Sequence, residues 1–289
     1  MLNKKNIVLI IFFFIFNLIN VVQAQIVNFH LPFSQTGNYQ AVAKLVNGGL
    51  EEKGWKFDFK VTNNLILSKH AYENSTEPFI LAWSELSASA KNEPFYLPAA
   101  DEKNFIGFTH SVPYYICTTK DIVVDDFYKK KLKIGIANTP AEEKFIKGLI
   151  NHTKTKHNAV GYKSSTELSA GLFSGEIDLA VSSLGSKWVT NNQAKCIFNT
   201  GKENLYGSVP MFSVFPNFSM NEFRTNLYYI GKNFTSEQLT KLRNDLNFVK
   251  ANHKPYLDHI KNMHYDSYTD SLENQLLYLK KIDNYWNNE

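Results

Sequence analysis

A short apolar strand, a polar loop and an amphipathic helix follow one another from Val27 to Leu50 (VNFHLPFSQTGNYQAVAKLVNGGL). The same plan returns from Lys131 to Ile150 in KLKIGIANTPAEEKFIKGLI. Strands that alternate with helices build parallel sheets, so the chain is constrained to an α/β architecture. Two such units far apart in sequence predict two lobes, each offering a helix N-terminus to a common ligand.

The first residues predict export. Lys4 and Lys5 form a basic n-region, Ile7 to Leu18 is an apolar run short of the about 20 residues a membrane span needs, and Val22-Gln23-Ala24 has the form of a cleavage site. The mature chain is expected to start at Gln25, outside the cytoplasm. Cys117 and Cys196 admit one disulfide or two buried thiols, and both sit in apolar strand-like runs. The formal charge of +4 is dispersed, and its densest run, Lys129 to Lys131, reads as a solvated turn, so nucleic acid is not an expected partner.

Periodicity places strands at Ile26 to Leu31, Phe57 to Val61 and Phe79 to Trp83, with a helix between the first two carried by Tyr39, Val42, Ala43, Val46 and Leu50. Phe105 to Thr118 is extended and interrupted by Pro113. From Leu132 the pattern predicts strand, helix from Pro140, strand at Ala159 to Tyr162, helix at Thr166 to Phe173, and strands at Ile177 to Ser182 and Lys195 to Asn199. Thr139-x-x-Glu142 and Ser164-x-x-Glu167 have the capping-box form, and Gly175 suits a left-handed stop. Asn226 to Ile230 reads as a strand, Thr235-x-x-Gln238 opens a long helix, Pro255 starts a shorter one, and Leu272 to Trp286 form a last one.

No motif for a catalytic nucleophile, zinc protease, P-loop or dinucleotide site occurs, so an enzyme, a metal or a cofactor is not expected. The adjacent carboxylates Asp125-Asp126, Glu51-Glu52 and Glu142-Glu143 read as solvated surface, because neighbours on a helix do not face one target. His152, His157, His253, His259 and His264 read as scattered surface histidines. The loops before the two helices differ. Ser34, Gln35, Thr36, Gly37 and Asn38 surround one helix opening and Asn138 and Thr139 the other; they either cap their helices or expose backbone amides to an anion.

PFSQTGNYQAVAKLV resembles the N-terminal signature of the tripartite tricarboxylate transporter substrate-binding receptors, the Bug or TctC family, which reads approximately P-F-x-x-G-G-x-x-D-x-x-A-R. Pro32, Phe33, Gly37 and Ala43 match, and Lys44 keeps the arginine's charge. The likeness continues through YLPAADEKNFIGFTHSVPYYICTTKD, LKIGIANTPAEEKF, AVGYKSSTELSAGLFSGEIDLAVSS and the closing PYLDHIKNMHYDSYTDSLENQLLYLKKIDNYW. Thr36, Gln40, Asn138, Pro140 and Lys144 depart from the pattern, and of the N-R-x-G-A-G-G element only Asn63 remains.

The resemblance implies a periplasmic-binding-protein type II-like fold, with two α/β lobes joined by crossing strands. Residues 1–24 would be the signal peptide, 25–118 lobe one, 119–215 lobe two and 216–289 the return to lobe one, hinged near Thr118 to Ile122 and Gly207 to Phe223. It implies a monomeric periplasmic receptor that captures a small organic anion, a carboxylate, for membrane permease subunits. A receptor for another transporter class, a sensory binding protein or an enzyme on the same fold are the alternatives. Phe33, the two loops, and by strand-end position Trp83, Ser84, Ser87 and Ser182 are the expected ligand contacts. Trp83 either packs or stacks on the ligand. Tyr162 and Asp178 join by matching the family's tyrosine and G-x-x-D positions; Asp178 binds or orients a loop.

Overall fold

The computed structural model describes residues 26–33, 38–84, 94, 96–97, 100–137, 140–201, 203–218, 220, 224–267 and 269–287. The expected leader and its cleavage site lie outside them. Among the described residues no helix is long and apolar enough to cross a membrane.

Two sheets account for the strands. The first has the order β2-β1-β3-β11-β4, from β1 (Ile26–Leu31), β2 (Lys56–Val61), β3 (Phe79–Ser84), β4 (Phe105–Pro113) and β11 (Arg224–Lys232). β1 runs parallel to β2 and β3, whereas β11 is antiparallel to β3 and β4. β3 is apolar throughout because both its faces are covered. Ile80 and Ala82 pack with Val42, Ala43 and Val46 of α1 (Asn38–Glu51) and with the leucines of α8 (Ser236–Asn252). Phe79, Leu81 and Trp83 point the other way, into a core closed by Tyr72 of α2 (Leu65–Asn74) and Leu279 of α10 (Leu272–Asn287).

The second sheet has the order β10-β9-β5-β8-β6-β7, from β5 (Tyr115–Thr118), β6 (Lys133–Ala137), β7 (Asn158–Tyr162), β8 (Leu179–Ser182), β9 (Lys195–Asn199) and β10 (Val209–Pro210). α4 (Pro140–Thr153) covers one face with Phe145, Ile146 and Leu149, joined by Phe127 of α3 (Asp126–Lys129) and by Met211 of α7 (Met211–Val214). α5 (Ser165–Phe173) and α6 (Gly185–Thr190) cover the other. α6 starts so close to β5 that a Cβ on Gly185 would lie 2.3 Å from that of Tyr115, which requires glycine there.

The helix starts follow their chemistry. Thr235 accepts from the Gln238 amide at 3.1 Å while the Gln238 side chain returns to the Thr235 amide at 2.8 Å, a complete capping box. Ser164 caps α5, but Glu167 reaches one residue further back, to the Lys163 amide. Gly175 follows α5 with φ +77°, as expected. α2, absent from the sequence expectations, is capped by Asn64, whose side chain accepts from Leu67 N at 3.0 Å. α9 (Lys254–Asn262) carries Pro255 in its first turn.

One expectation changes and one open choice closes. The passage between sheets falls at Tyr114, not near Thr118 to Ile122; β5 already belongs to the second sheet because Tyr115 to Thr118 pair with β8 and β9. Cys117 and Cys196 face each other across β5 and β9 and are bridged, which resolves the choice the sequence left open.

Candidate functional site

Strand registers bring a defined set of residues to one edge of each sheet. Ser84 ends β3 opposite Leu227, and Pro113 ends β4 opposite Arg224. Ser182 ends β8 and Asn199 ends β9, both opposite Tyr115. Both sheets therefore turn the carboxyl ends of their parallel strands toward the passage at Tyr114, where open α/β sheets bind ligands.

Tyr114 is buried at that passage. Its amide donates to Thr200 Oγ1 at 2.8 Å and its carbonyl accepts from the Thr200 amide at 2.9 Å. The Thr225 hydroxyl donates to its phenol oxygen at 3.1 Å, and the phenol donates to the carboxylate of Glu142. Burial, then the charge of Glu142 and the proximity of Tyr39, push the Tyr114 phenol well above its ordinary pKa; the Thr225 hydrogen bond opposes them. Tyr39 lies in the first turn of α1 and Glu142 in the first turn of α4. The openings of the two helices singled out by the sequence thus converge on one residue.

Phe33 is half-buried with its ring 5.0 Å from that of Tyr39, which in turn lies 5.8 Å from His110. Ser84 and Ser182 are buried at their strand ends, and Ser182 Oγ accepts from the Leu184 amide at 3.1 Å. Trp83 belongs to the core beneath the first sheet and is fully buried there. Tyr162 ends β7, but its ring lies on α5, where a Cβ on Gly171 would come 2.3 Å from the hydroxyl. Asp178 precedes β8 and stands at the far end of that strand from Ser182. It pairs with Lys120 at 2.6 Å and accepts from the Lys133 amide at 2.7 Å. Burial disfavours its charge, but those hydrogen bonds and the lysine charges outweigh burial and lower its pKa. Ser34, Gln35, Thr36, Gly37, Ser87, Asn138, Thr139 and the side chain of Asn38 lie outside the described residues, as does the Thr139 half of the expected capping box.

Glu142 corrects the expectation of a solvated carboxylate pair. It is buried, whereas Glu143 is part-exposed and pairs with Lys147. The signal was present, since Glu142 precedes Phe145 and Leu149 by three and seven residues and shares their apolar face. Of the histidines expected at the surface, His152 and His264 are exposed, His253 and His259 are part-buried, and one departs outright. His157 is buried, and its Nδ1 accepts from the Leu132 amide at 3.2 Å. His110, which the sequence did not single out, is fully buried against Tyr39 and Tyr265, and desolvation, then the charge of His259, lowers its pKa to about 3. No group of metal-ligating side chains forms among the described residues.

Arg224 was also missed. It is buried at the start of β11, and one of its guanidinium nitrogens pairs with Asp266. The Arg224 charge acts on Tyr115, whose ring lies 6.1 Å from that of Tyr206, and Tyr265 precedes Asp266; burial is the main cause that raises the pKa of all three phenols. No short motif marks these residues, because β4, β5, β11 and the segment after α9 bring them together only in the folded chain.

The same architecture occurs in solved proteins. The periplasmic binding protein BugD matches with a TM-score of 0.69 over 90% of this chain and 95% of its own, at 16% identity. This chain has the Bug/TctC fold. A protein of R. palustris solved with adipate matches at a TM-score of 0.72, 14% identity, and coverage of 92% and 96%. MatC from Rhodopseudomonas palustris, with bound malate, matches at 0.69, 11% identity, and coverage of 92% and 99%. No family model and no curated protein matches the sequence. In the Bug/TctC fold of this chain, the passage at Tyr114 lies between the two sheets.

Proposed function

We propose that the chain is an extracytoplasmic receptor of the Bug/TctC type, exported to the periplasm by its N-terminal leader. It closes as a monomer on a small organic carboxylate and delivers it to the permease subunits of a tripartite tricarboxylate-type transporter. The observation that carries this reading is the convergence of the α1 and α4 first turns, through Tyr39 and Glu142, on Tyr114. The adipate and malate held by two proteins of this fold support the solute class. Binding and release, without covalent chemistry, suffice for this role.

The proposed first carboxylate contact is the loop pair, Ser34 to Asn38 with Asn138 and Thr139, where helix N-terminal amides and the helix dipole favour an anion. Phe33, Ser84, Ser87 and Ser182 flank it. Trp83 is packed in the core beneath the first sheet, the Tyr162 ring lies on α5 and Asp178 pairs with Lys120 at the far end of β8, so these three are left out of the first contact. A thermal-shift screen of mature protein against dicarboxylates, monocarboxylates and phosphonates tests the reading, because a ligand that binds only the folded state raises its Tm. A carboxylate should raise it, and Gly37→Trp should abolish the rise. A response to phosphonates alone would replace the solute class.

A further inference from the structure

Tyr206 and His264 both hold a left-handed backbone, each with φ +51°, a conformation that glycine or asparagine adopts more easily. Tyr206 and Gly207, the latter with φ +78°, are the central pair of a tight turn closed by the Ser208 amide on the Leu205 carbonyl at 2.9 Å. Two positive φ values in succession are the type I′ pattern, which asparagine, aspartate and glycine fill at least cost. His264 follows α9 as the C′ residue of a Schellman motif. The Tyr265 amide donates to the Ile260 carbonyl at 3.0 Å, and the His264 amide donates to the Lys261 carbonyl at 3.1 Å. Glycine is the usual occupant of that position.

Both positions are held firmly from below. Asn199, buried at the end of β9, donates to the carbonyls of Glu203 and Ser208 at 3.2 and 3.1 Å and accepts from the Gly201 amide at 2.8 Å. Leu205 is buried in the core under α5 and α6. On the other side Tyr265 joins Ile260 in the core of the first sheet, and Asp266 exchanges backbone hydrogen bonds with Ser111 of β4 at 2.9 and 3.0 Å. The turn thus belongs to the second sheet and the helix end to the first. Their side chains meet, with the Tyr206 and His264 ring centroids 4.8 Å apart and the planes at 84°, an edge-to-face contact. The Tyr206 ring also lies 6.1 Å from that of Tyr115 on its own sheet.

A strained backbone persists where the surrounding structure depends on the residue that bears it. Neither ring is needed by its own turn; what the two have in common is the contact between lobes. Resting on the receptor reading above, in which the lobes part and close, we propose that Tyr206 and His264 form an aromatic latch that favours the arrangement of lobes in which their rings touch. An edge-to-face pair shifts such a two-state equilibrium about two- to tenfold. A solute that favours the same arrangement then has less of the closing left to drive.

Small-angle X-ray scattering of the unliganded mature protein, with thermal unfolding beside it, tests the latch. Tyr206→Asn and His264→Gly each remove one ring and give the backbone a residue that suits it. Each should leave the Tm unchanged or raised. Each should enlarge the radius of gyration by lowering the population of the touching arrangement about two- to tenfold. The double variant should match the single ones, because either change removes the whole contact. Tyr206→Phe keeps the ring and should keep the wild-type radius. Wild-type radii in both single variants, or increases that add in the double variant, overturn the latch. A lowered Tm with an unchanged radius assigns the rings to the stability of their own turns and also overturns it. Each of these results leaves the receptor reading intact, which falls separately if no carboxylate raises the Tm.

Discussion

The Thr225 hydroxyl donates to the phenol oxygen of Tyr114 across 3.1 Å, and this bond ties the start of β11 to the residue where the chain leaves β4 for the second sheet. Tyr114 is also anchored through its backbone to Thr200 after β9 and through its phenol to Glu142 of α4, so four segments from both sheets meet at one residue.

Tyr114→Phe should therefore destabilise the protein by about 1–3 kcal/mol, the cost of leaving buried groups without a partner. Urea unfolding checks this. In the same background Thr225→Val should cost less than it does alone, since its acceptor is already gone, and a double-mutant cycle reads the difference.

The Cys117 to Cys196 bridge closes a separation of 79 residues within the second lobe. On the chain-entropy account such a loop contributes about 4 kcal/mol by restricting the unfolded state. Dithiothreitol should lower the Tm of the wild type and leave that of Cys117→Ala/Cys196→Ala unchanged. Such bridges persist in oxidising compartments.

His110 sets an acid limit on stability. Its pKa is about 3 in the folded protein, below an ordinary 6.5, so between those values the unfolded chain binds the proton first. The contribution is complete above about pH 6.5 and is lost as pH falls toward 3, on the order of 5 kcal/mol at most. His110→Gln should flatten the decline of unfolding free energy between pH 6.5 and 4. An unchanged profile would show that other groups govern acid unfolding.

Most of the fold was legible in the sequence because its signals are local. The β3 run, the Thr235 box and the apolar stripe of α1 each contain their own explanation, and each element stands where periodicity placed it. What escaped was short or depended on distant partners. α2 has no strong amphipathic stripe and is announced only by its Asn64 cap. The passage at Tyr114 could not be separated from Thr118, since an extended run looks alike in either sheet. Glu142 was read by its neighbour Glu143 when its apolar face was the better guide, and Arg224, Tyr115 and Tyr265 become a group only through strand register and the Ser111 to Asp266 bridge.

Lys250 carries the opposite pH dependence. It is buried in α8, donates to the Phe108 carbonyl at 3.1 Å, and has its pKa lowered to about 8 by desolvation, against a smaller opposing effect of Asp270. Below pH 8 both states hold the proton and the full penalty for a buried ammonium is present. Between pH 8 and about 10.4 the folded state releases it while the unfolded chain keeps it, so stability rises with pH, by roughly 3 kcal/mol over the window. Lys250→Met removes that penalty but leaves the Phe108 carbonyl bare, at a cost of about 1 kcal/mol or more. The variant should be more stable than wild type at pH 7 and lose the advantage by pH 10, as read from urea unfolding at both values. A wild-type stability that does not rise between pH 8 and 10 would mean that Lys250 holds its charge at little cost through the Phe108 carbonyl.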